Sequence, residues 1–244
     1  MYNALVHYCE WSVDMLAFEK LPKQFQTNEV KIYYDHLAKR KTALMWKRVF
    51  DIVVSAVLLV LLSPILLLLA VWIKVDSEGP VFYRQVRVTT YGKEFRIFKF
   101  RTMVKDADKM GALVTSDHDP RISRAGNKLR NLRLDELPQL INVLIGDMSF
   151  VGTRPEVPRY VERYTSEMFA TLLLPAGVTS LASMRYKDEA KVISEYTSQG
   201  LTPDEVYITK VLPEKMKYNL EYLEDVSVIR DIRLMIDTVF AVVK

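Results

Sequence analysis

The sequence is poor in the residues that build disulfides and transition-metal sites. Among its 244 residues there is one cysteine, Cys9, and there are three histidines. A lone cysteine excludes an internal disulfide and offers no zinc site, which is consistent with a reducing cytosol. The histidines are scattered at His7, His36 and His118, and we interpret none of them as a metal ligand or a general base.

What the sequence does have is a long uncharged run. The 22 residues from Ile52 to Ile73 carry no charge. As a helix they would be about 33 Å long, enough for a bilayer core of roughly 30 Å. The run lies too far from the N-terminus and is too long to be a cleavable signal peptide. It predicts a helix in a membrane. Half of the residues in the chain are hydrophobic, but a quarter are charged, and this composition predicts a soluble domain attached to the membrane helix.

Ser63 and Pro64 lie in the middle of this run. Proline deletes one backbone hydrogen bond and clashes with the carbonyl of Val60, so the helix is expected to bend or break, with the Ser63 hydroxyl bonding a freed carbonyl. Two topologies stay open, a kinked spanning helix and a re-entrant one. Basic residues mark the cytoplasmic side of a membrane helix, and both flanks of the run are basic, which favours the re-entrant topology.

Positive charge is concentrated just after the run. The chain has a formal net charge of +4, but residues 74–133 alone contain 14 Lys/Arg and 7 Asp/Glu, a net charge of +7. A basic block beside a membrane favours anionic lipid headgroups and phosphate-bearing substrates. We do not expect nucleic acid as a partner, because no nucleic-acid-binding module accompanies the charge.

The chain divides into three predicted parts: an N-terminal extension (1–45), a membrane helix (46–75) and a cytosolic catalytic domain (76–244). The extension could form one or two surface helices. Two runs rich in Val, Phe and Ile, 81–88 and 94–102, flank a turn in which Gly92 can adopt positive φ, so they predict a β-hairpin. Its basic side chains, Arg96, Lys99 and Arg101, face either solvent or phosphate. The apolar face of 226–240 suits core packing or the headgroup layer.

Residues 131–154 are the most informative stretch, because two adjacent carboxylates, Asp135 and Glu136, stand at the mouth of an apolar helix. Pro138 fits only the first turn of a helix, so the helix should begin near Asp135. The apolar residues that recur at helical spacing predict its packed face: Leu137, Leu140, Ile141, Leu144 and Ile145. An Asp-Glu pair at this position is ordinarily a helix N-cap followed by an acidic residue in the first turn. Here the neighbouring membrane segment and the basic residues that precede the pair point to phosphate chemistry.

Six motifs in order and at matching spacing carry a resemblance to a known family. They are Lys47-Arg48-Val49-Phe50-Asp51, Gly79-Pro80-Val81 with Gln85 and Arg87, Lys99-Phe100-Arg101-Thr102-Met103, Asp119-Pro120-Arg121-Ile122, Leu134-Asp135-Glu136-Leu137-Pro138-Gln139, and Gly146-Asp147-Met148-Ser149-Phe150-Val151-Gly152. Over residues 46–182 the chain resembles bacterial sugar transferases of the monotopic phosphoglycosyl transferase class, which begin surface-glycan assembly on a polyprenyl phosphate.

The resemblance implies an α+β monotopic membrane protein. Its re-entrant helix would be bent at Ser63-Pro64, and a small hairpin and amphipathic helices would surround the catalytic helix. It would lie in the bacterial cytoplasmic membrane among membrane lipids, with its catalytic domain facing the cytoplasm.

The resemblance also implies the chemistry. Asp135 would attack the β-phosphate of a UDP-sugar, UMP would leave, and the sugar phosphate would pass to undecaprenyl phosphate with Mg²⁺ assisting. Asp135 and Glu136 are the expected catalytic residues and metal ligands. We expect four cations to bind the phosphates: Lys99, Arg101, Arg133 and Arg154.

The chain departs from the family pattern at a few positions. Thr153 replaces a proline beside Arg154, Thr89 replaces a hairpin-turn glycine, and Ser180 and Ser183 replace a glycine and a glutamine. These departures bear on nucleotide and sugar recognition and leave the dyad intact. The sequence does not name the sugar or the polymer, and it leaves open whether the chain forms a homo-oligomer.

Two rival functions stay open. A membrane-anchored regulator of polysaccharide export would need no dyad. A glycosyltransferase adding a later sugar would release UDP, and would usually carry an Asp-x-Asp metal motif in a nucleotide-binding domain. Asp106-Ala107-Asp108 has that form, but we interpret it as a helix surface.

Overall fold

The computed structural model describes residues 15–104, 107, 119–186 and 188–243. Within these ranges the chain forms helices and two small two-stranded sheets, which agrees with the predicted α+β class. The interpretations of five residues fall outside the described ranges and stay predictions: His7, Cys9, Asp106, Asp108 and His118.

The N-terminal extension contributes to the main core. Helix α1, Asn28–Ala38, begins after Thr27, whose hydroxyl accepts a hydrogen bond from the Val30 N–H over 3.4 Å. Val30, Leu37 and the preceding Phe25 are fully buried in the core that the rest of the chain forms. α1 is therefore a helix on the surface, as expected, and its buried apolar side chains pack against the domain that follows.

Helix α2, Lys41–Asp76, is the longest element, with 36 residues. It is long and apolar enough to cross a membrane. Only 11% of its most apolar 18-residue stretch is buried inside the protein. The helix continues through Ser63 and Pro64 without a break. The Ser63 hydroxyl donates to the Val60 carbonyl over 2.8 Å, as predicted, and so bonds the oxygen that the proline leaves without its usual N–H.

Strands β1, Phe82–Val88, and β2, Glu94–Phe100, pair antiparallel where the sequence predicts a hairpin. The turn between them contains Gly92, whose φ of 80° is the positive value expected for it. Phe95 and Ile97 point one face of β2 into the main core. The hairpin is thereby fixed on the domain and carries Lys99 toward the dyad.

Helix α3, Arg124–Asn131, is followed by a 3₁₀ turn, Leu134–Glu136, then by helix α4, Gln139–Ile145, and strand β3, Met148–Val151. The predicted packed face of α4 is only partly right. Leu140 is buried, but the fully buried set also includes Gln139, Asn142 and Val143.

Asn142 explains the difference. Its amide oxygen accepts from the Phe98 N–H over 2.8 Å and its amide nitrogen donates to the Arg96 carbonyl over 3.2 Å. α4 thus lies against the edge of β2, and a polar residue satisfies the backbone groups there.

Strand β4, Ala176–Thr179, pairs parallel with β3. The strand begins at Ala176, directly after Pro175. Gly177 allows a close approach of the two backbones, since a Cβ on Gly177 would lie 2.2 Å from the Gly152 nitrogen. Both positions therefore require glycine, and their contact fixes the start of the loop that carries Arg154.

The remaining helices surround this centre. They are α5 (Pro158–Val161), α6 (Leu181–Arg185), α7 (Glu189–Ser198), α8 (Pro203–Val206), α9 (Leu212–Glu224) and α10 (Val228–Val243), with a 3₁₀ segment at Glu167–Leu172 and a π-helical turn at Tyr207–Val211. Buried Lys47 of α2 bonds Asp231 of α10, and Asp231 also accepts from the Tyr222 hydroxyl over 2.7 Å. These polar contacts tie the start of α2 to the last two helices.

Candidate active site

The two carboxylates of the dyad lie in the 3₁₀ turn rather than in the α-helix. We expected the helix to begin near Asp135, but α4 begins at Gln139, with Pro138 as its N-cap residue. The Glu136 N–H bonds the Arg133 carbonyl over 3.4 Å and the Leu137 N–H bonds the Leu134 carbonyl over 3.3 Å. Both bonds run from an N–H to the carbonyl three residues earlier, so the chain winds tightly as a 3₁₀ turn before α4 begins.

Glu136 is held by two cations from different elements. Its Oε1 accepts from Lys99 Nζ at the end of β2 and from Arg154 Nη2 in the loop after β3, each over 2.9 Å. Three of the predicted site residues are therefore together in space, although they are far apart in the sequence. Charge-assisted bonds of this kind fix side chains more firmly than neutral ones.

The surroundings push the two dyad carboxyls in opposite directions. Burial and the neighbouring Glu136 charge raise the pKa of Asp135, and Lys99 and Arg130 oppose that rise only in part. Burial also acts to raise the pKa of Glu136, but Arg154 and Lys99 outweigh it and hold that pKa well below its usual value. Glu136 is thus a fixed anion, while Asp135 is the more basic carboxylate. Opposite shifts in a pair of neighbouring acids are typical of sites that divide two roles between them.

Burial lowers the pKa of Lys99, and Glu136 counteracts this. The Glu136 charge raises the pKa of Arg154. The cluster is therefore electrostatically coupled: each cation stabilises the Glu136 carboxylate, and the carboxylate keeps both cations charged in a poorly solvated place.

Arg130 is a functional candidate that the sequence analysis missed. It lowers the pKa of Asp135, and its Nε donates to the Thr102 hydroxyl over 2.9 Å. Arg133 was predicted instead, but Arg133 is exposed and adopts φ 55°. Arg130 lies in the last turn of α3, whereas Arg133 lies in the turn after it.

Arg101 does not join the cluster. Its guanidinium donates to the Ser77 carbonyl over 2.7 Å and to the Glu78 carbonyl, both just after the last residue of α2. The side chain is 5% exposed. Arg101 thus closes the end of α2, and we no longer include it among the phosphate-binding residues.

The loop that carries Arg154 is fixed on both sides. The Gly177 N–H donates to the Thr153 carbonyl over 2.8 Å, and Arg87 Nη1 donates to the Pro155 carbonyl over 2.9 Å. Two hydrogen bonds to backbone carbonyls, one from a backbone N–H and one from an arginine side chain, therefore hold the loop where the family pattern has a proline and this chain has Thr153.

The other departures also have structural roles. The Thr89 hydroxyl donates to the Asp147 carbonyl over 2.7 Å and accepts from the Ala176 N–H over 3.1 Å. Ser180 caps α6 by accepting from the Ser183 N–H over 3.0 Å. Thr89 therefore joins the hairpin turn to the segments that lead into β3 and β4.

The residues present suit Mg²⁺ only if phosphates of the substrate complete its coordination. No group of three or more His, Cys, Asp or Glu side chains forms a metal site among the residues that the structure describes. Mg²⁺, however, is often bound by one or two carboxylates and completed by substrate phosphates and water. Asp135 and Glu136 fit that mode, with Glu136 Oε1 already engaged by Lys99 and Arg154.

Comparison with known proteins shows the family of this chain. The bacterial sugar transferase family matches residues 42–244. The chain belongs to that family. A UDP-glucose:undecaprenyl-phosphate glucose-1-phosphate transferase of Klebsiella pneumoniae is 33% identical over 201 residues, which are 81% of this chain and 40% of that protein. A protein of the same description from Escherichia coli (strain K12) is 35% identical over 199 residues, 80% of this chain and 39% of the relative.

A shorter relative matches along almost its whole length. A Bacillus subtilis (strain 168) protein, named provisionally as an undecaprenyl-phosphate N-acetylgalactosaminyl 1-phosphate transferase, is 43% identical over 182 residues, 72% of this chain and 98% of that protein. The chain thus spans about two fifths of the first two relatives and nearly all of the third. The sugars in these names differ, so family membership does not identify the sugar.

Proposed function

We propose that this family member moves a sugar 1-phosphate from a UDP-sugar to undecaprenyl phosphate, as the first membrane step of surface-polysaccharide assembly. The observation that carries the proposal is the buried dyad, in which Lys99 and Arg154 hold Glu136 beside a more basic Asp135. The names of the relatives support the two substrates.

Asp135 is the proposed nucleophile. Its carboxylate oxygen attacks the β-phosphorus of the UDP-sugar, the bond from that phosphorus to the bridging oxygen breaks, and UMP leaves with that oxygen. A phosphate oxygen of undecaprenyl phosphate then attacks the same phosphorus. The bond to Asp135 breaks, which restores the carboxylate and yields the lipid diphosphate sugar. A carboxylate with a raised pKa is a stronger nucleophile once it is ionised.

Lys99, Arg130 and Arg154 are proposed to neutralise the diphosphate, and Glu136 is proposed to hold Lys99 and Arg154 in position. Phosphoryl transfer depends mainly on positioning and electrostatic stabilisation; Lys99 and Arg130 lower the pKa of Asp135, and Arg154 bonds the neighbouring Glu136. Mg²⁺, when bound by the dyad carboxylates and the substrate phosphates, would add further charge neutralisation.

The contacts of α2 support a re-entrant topology. Near its start, Arg48 donates to the Val143 carbonyl over 2.7 Å. Near its end, Ile73 is buried in a cluster with Phe100 and Leu129. In a straight helix Arg48 and Ile73 would lie about 37 Å apart at 1.5 Å per residue. Asn142, next to Val143, bonds Phe98 of β2, and Phe100 lies two residues further along that strand. The residues that contact the two ends of α2 are therefore close together in the domain, and this favours a bend in α2 between its two ends.

Exposed apolar residues support membrane contact on two helices. On α2 they include Val57, Val60, Leu61, Leu67, Leu68 and Val71; on α10 they are Ile229, Ile232, Ile236, Val239 and Phe240. Several exposed apolar side chains on one helix mark a surface that contacts a membrane or another protein. We propose that both helices contact the cytoplasmic membrane and that the dyad faces the cytoplasm.

The test is nucleotide release. Purified protein in detergent should release UMP from one member of a panel of UDP-sugars when undecaprenyl phosphate is present. Asp135→Asn should insert and fold normally, yet lose turnover and the covalent sugar-phosphate mass. Release of UDP would indicate the rival glycosyltransferase, and the absence of any nucleotide release would favour the rival regulator. A covalent mass on another residue would remove Asp135 from its role.

A further inference from the structure

The turn between α3 and the dyad combines an exposed leucine with an exposed arginine. Leu132 is 61% exposed, and Arg133 beside it is also exposed. Arg133 adopts φ 55° and ψ 19°, a left-handed conformation that costs a non-glycine residue energy and is often found at functional sites. Neither side chain takes part in the cluster around Glu136.

Helix α3 runs antiparallel to the end of α2. At its start the Ala125 N–H donates to the Asp76 carboxylate over 3.2 Å, and one turn later Lys128 Nζ lies 5.9 Å from the ring centre of Trp72. Leu129 is fully buried in the cluster that contains Leu69 and Ile73. The turn at the end of α3 therefore lies beside the part of α2 before Trp72, where Leu67 and Leu68 are exposed.

The same turn leads directly into the nucleophile. Leu134 packs against the cluster of Leu69 and Ile73, and Asp135 follows it. The exposed pair Leu132–Arg133 is thus two to three residues from Asp135 along the chain and next to the apolar surface of α2. Lys128 adds a second exposed cation in the last turn of α3.

We propose that Leu132 and Arg133, with Lys128 beside them, receive the polyprenyl-phosphate acceptor: Arg133 and Lys128 bind its phosphate, and Leu132 contacts the first isoprene units. We call residues 131–133 the acceptor turn. The inference rests on the proposed function, and it assigns the second substrate to a surface that the donor chemistry does not use.

Charge and polarity favour this occupant. A UDP-sugar is water-soluble and gains nothing from an exposed leucine, whereas a lipid phosphate presents an anion and a hydrocarbon chain at one place. Arginine and lysine near a membrane surface attract lipid phosphates, and an apolar side chain beside them suits the depth just below the headgroups. Bulk anionic phospholipid shares part of this chemistry and is the competing outcome of the test.

The experiment uses the full chain in nanodiscs and compares Arg133→Gln and Leu132→Gln with the wild type. Arg124→Gln is the matched control, because Arg124 is an exposed arginine at the opposite end of α3. One readout is the KM for undecaprenyl phosphate against the KM for the UDP-sugar. The other is native mass spectrometry, which measures how much undecaprenyl phosphate each variant retains.

Arg133→Gln should raise the KM for undecaprenyl phosphate about tenfold, which is the loss of one charge-assisted contact. Leu132→Gln should raise it roughly fivefold through lost apolar contact. The KM for the UDP-sugar should stay within about twofold, and the Arg124→Gln control should match the wild type. Lipid retention should fall in the same order as the KM rises.

Three results would overturn the acceptor turn. An equal effect of Arg124→Gln, or an Arg133→Gln effect that disappears in nanodiscs of neutral phosphatidylcholine, would assign the turn to bulk anionic lipid. Equal rises in both KM values would mean that the substitution only disturbs the dyad. If the wild type releases no UMP, the proposed function fails, but retention of undecaprenyl phosphate by the wild type and the two variants still decides the role of the turn.

Discussion

The guanidinium of Arg154 donates a hydrogen bond to Oε1 of Glu136 over 2.9 Å and thereby joins the loop after β3 to the 3₁₀ turn of the dyad. Another acidic residue, Glu156, lies only two positions from Arg154 in the sequence. In the structure the Tyr207 hydroxyl bonds Glu156 instead. Arg154 is therefore held in the site by the same carboxylate whose ionisation it maintains.

Replacing Arg154 should impair catalysis more than folding. Arg154→Ala removes a charge-assisted contact worth about 1.5–3 kcal/mol, so kcat/KM should fall roughly 10- to 150-fold, with changes in both kcat and KM. Arg154→Lys should recover only part of the loss, because lysine lacks the planar fork of donors. Steady-state UMP release over a range of UDP-sugar concentrations measures these values.

The control for Arg154 is Arg163→Ala, which removes an exposed arginine further along the chain. Thermal melting should be recorded on the same detergent-purified samples. A lower Tm in Arg154→Ala together with near-normal kinetics of the folded fraction would show that the arginine is structural.

The dyad predicts opposite pH responses for two substitutions. Asp135 must be ionised to attack, so the rate falls as the pH drops through its pKa, and that pKa is raised by burial and by Glu136. Glu136→Gln removes a negative charge and so lowers the pKa of Asp135. The acid limb of the pH–rate profile, where the rate falls with falling pH, should therefore move to lower pH. Lys99→Gln removes a positive charge and should move it to higher pH. The pH dependence of single-turnover adduct formation measures both shifts.

The maximal rate will be lower in both of these variants. The prediction therefore concerns the pH at which the acid limb falls and not the maximal rate. Movement of both limbs in the same direction would contradict the assignment of the acid limb to Asp135. Lys93→Gln provides a control, because Lys93 is an exposed residue in the hairpin turn.

Arg101 should behave as the converse of Arg154. It is buried and bonds the backbone at the end of α2, so Arg101→Ala should destabilise the fold by about 2–4 kcal/mol and lower the Tm. The kcat/KM of the folded fraction should change little. Arg96→Ala, which removes an exposed arginine from β2, should leave the Tm unchanged. A large loss of kcat/KM at an unchanged Tm would return Arg101 to the phosphate site.

The contacts of Glu136 with Lys99 and Arg154 agree with the grouping that the family resemblance implies, while the catalytic roles of these residues stay predictions. Arg101 shows where such reasoning fails. Lys99 and Arg101 would share a face of a regular strand, but β2 ends at Phe100, and Arg101 turns toward the end of α2. The sequence shows the alternation but not where the strand ends.

Tertiary contacts account for the other misses. Nothing local in residues 15–38 shows that Phe25 and Val30 are fully buried, because the groups that cover them come from distant segments such as Phe169, whose ring centre lies 5.4 Å from that of Phe25. Asn142 likewise reads as a break in an apolar stripe until β2 is placed beside it. These are long-range relationships, which periodicity along one segment does not contain.

The topology of α2 gives the last prediction. We expect both of its ends on the cytoplasmic side, because Arg48 and Ile73 contact the same domain and Pro64 lies between them. Thr42 and Glu78 are exposed near the two ends and suit single-cysteine labelling after Cys9 is replaced by serine. In spheroplasts, a membrane-impermeant thiol reagent should label neither Thr42→Cys nor Glu78→Cys, and both should react once the membrane is opened.

Pro64→Ala tests the cause of this topology. Alanine restores the N–H that bonds the Val60 carbonyl, which straightens the helix and removes the reason for a bend at its centre. We therefore expect part of the Pro64→Ala population to expose one of the two cysteines to the external reagent. Labelling of one site from outside in the protein that retains Pro64 would mean that α2 spans the bilayer, and the contacts at its two ends would then need another explanation.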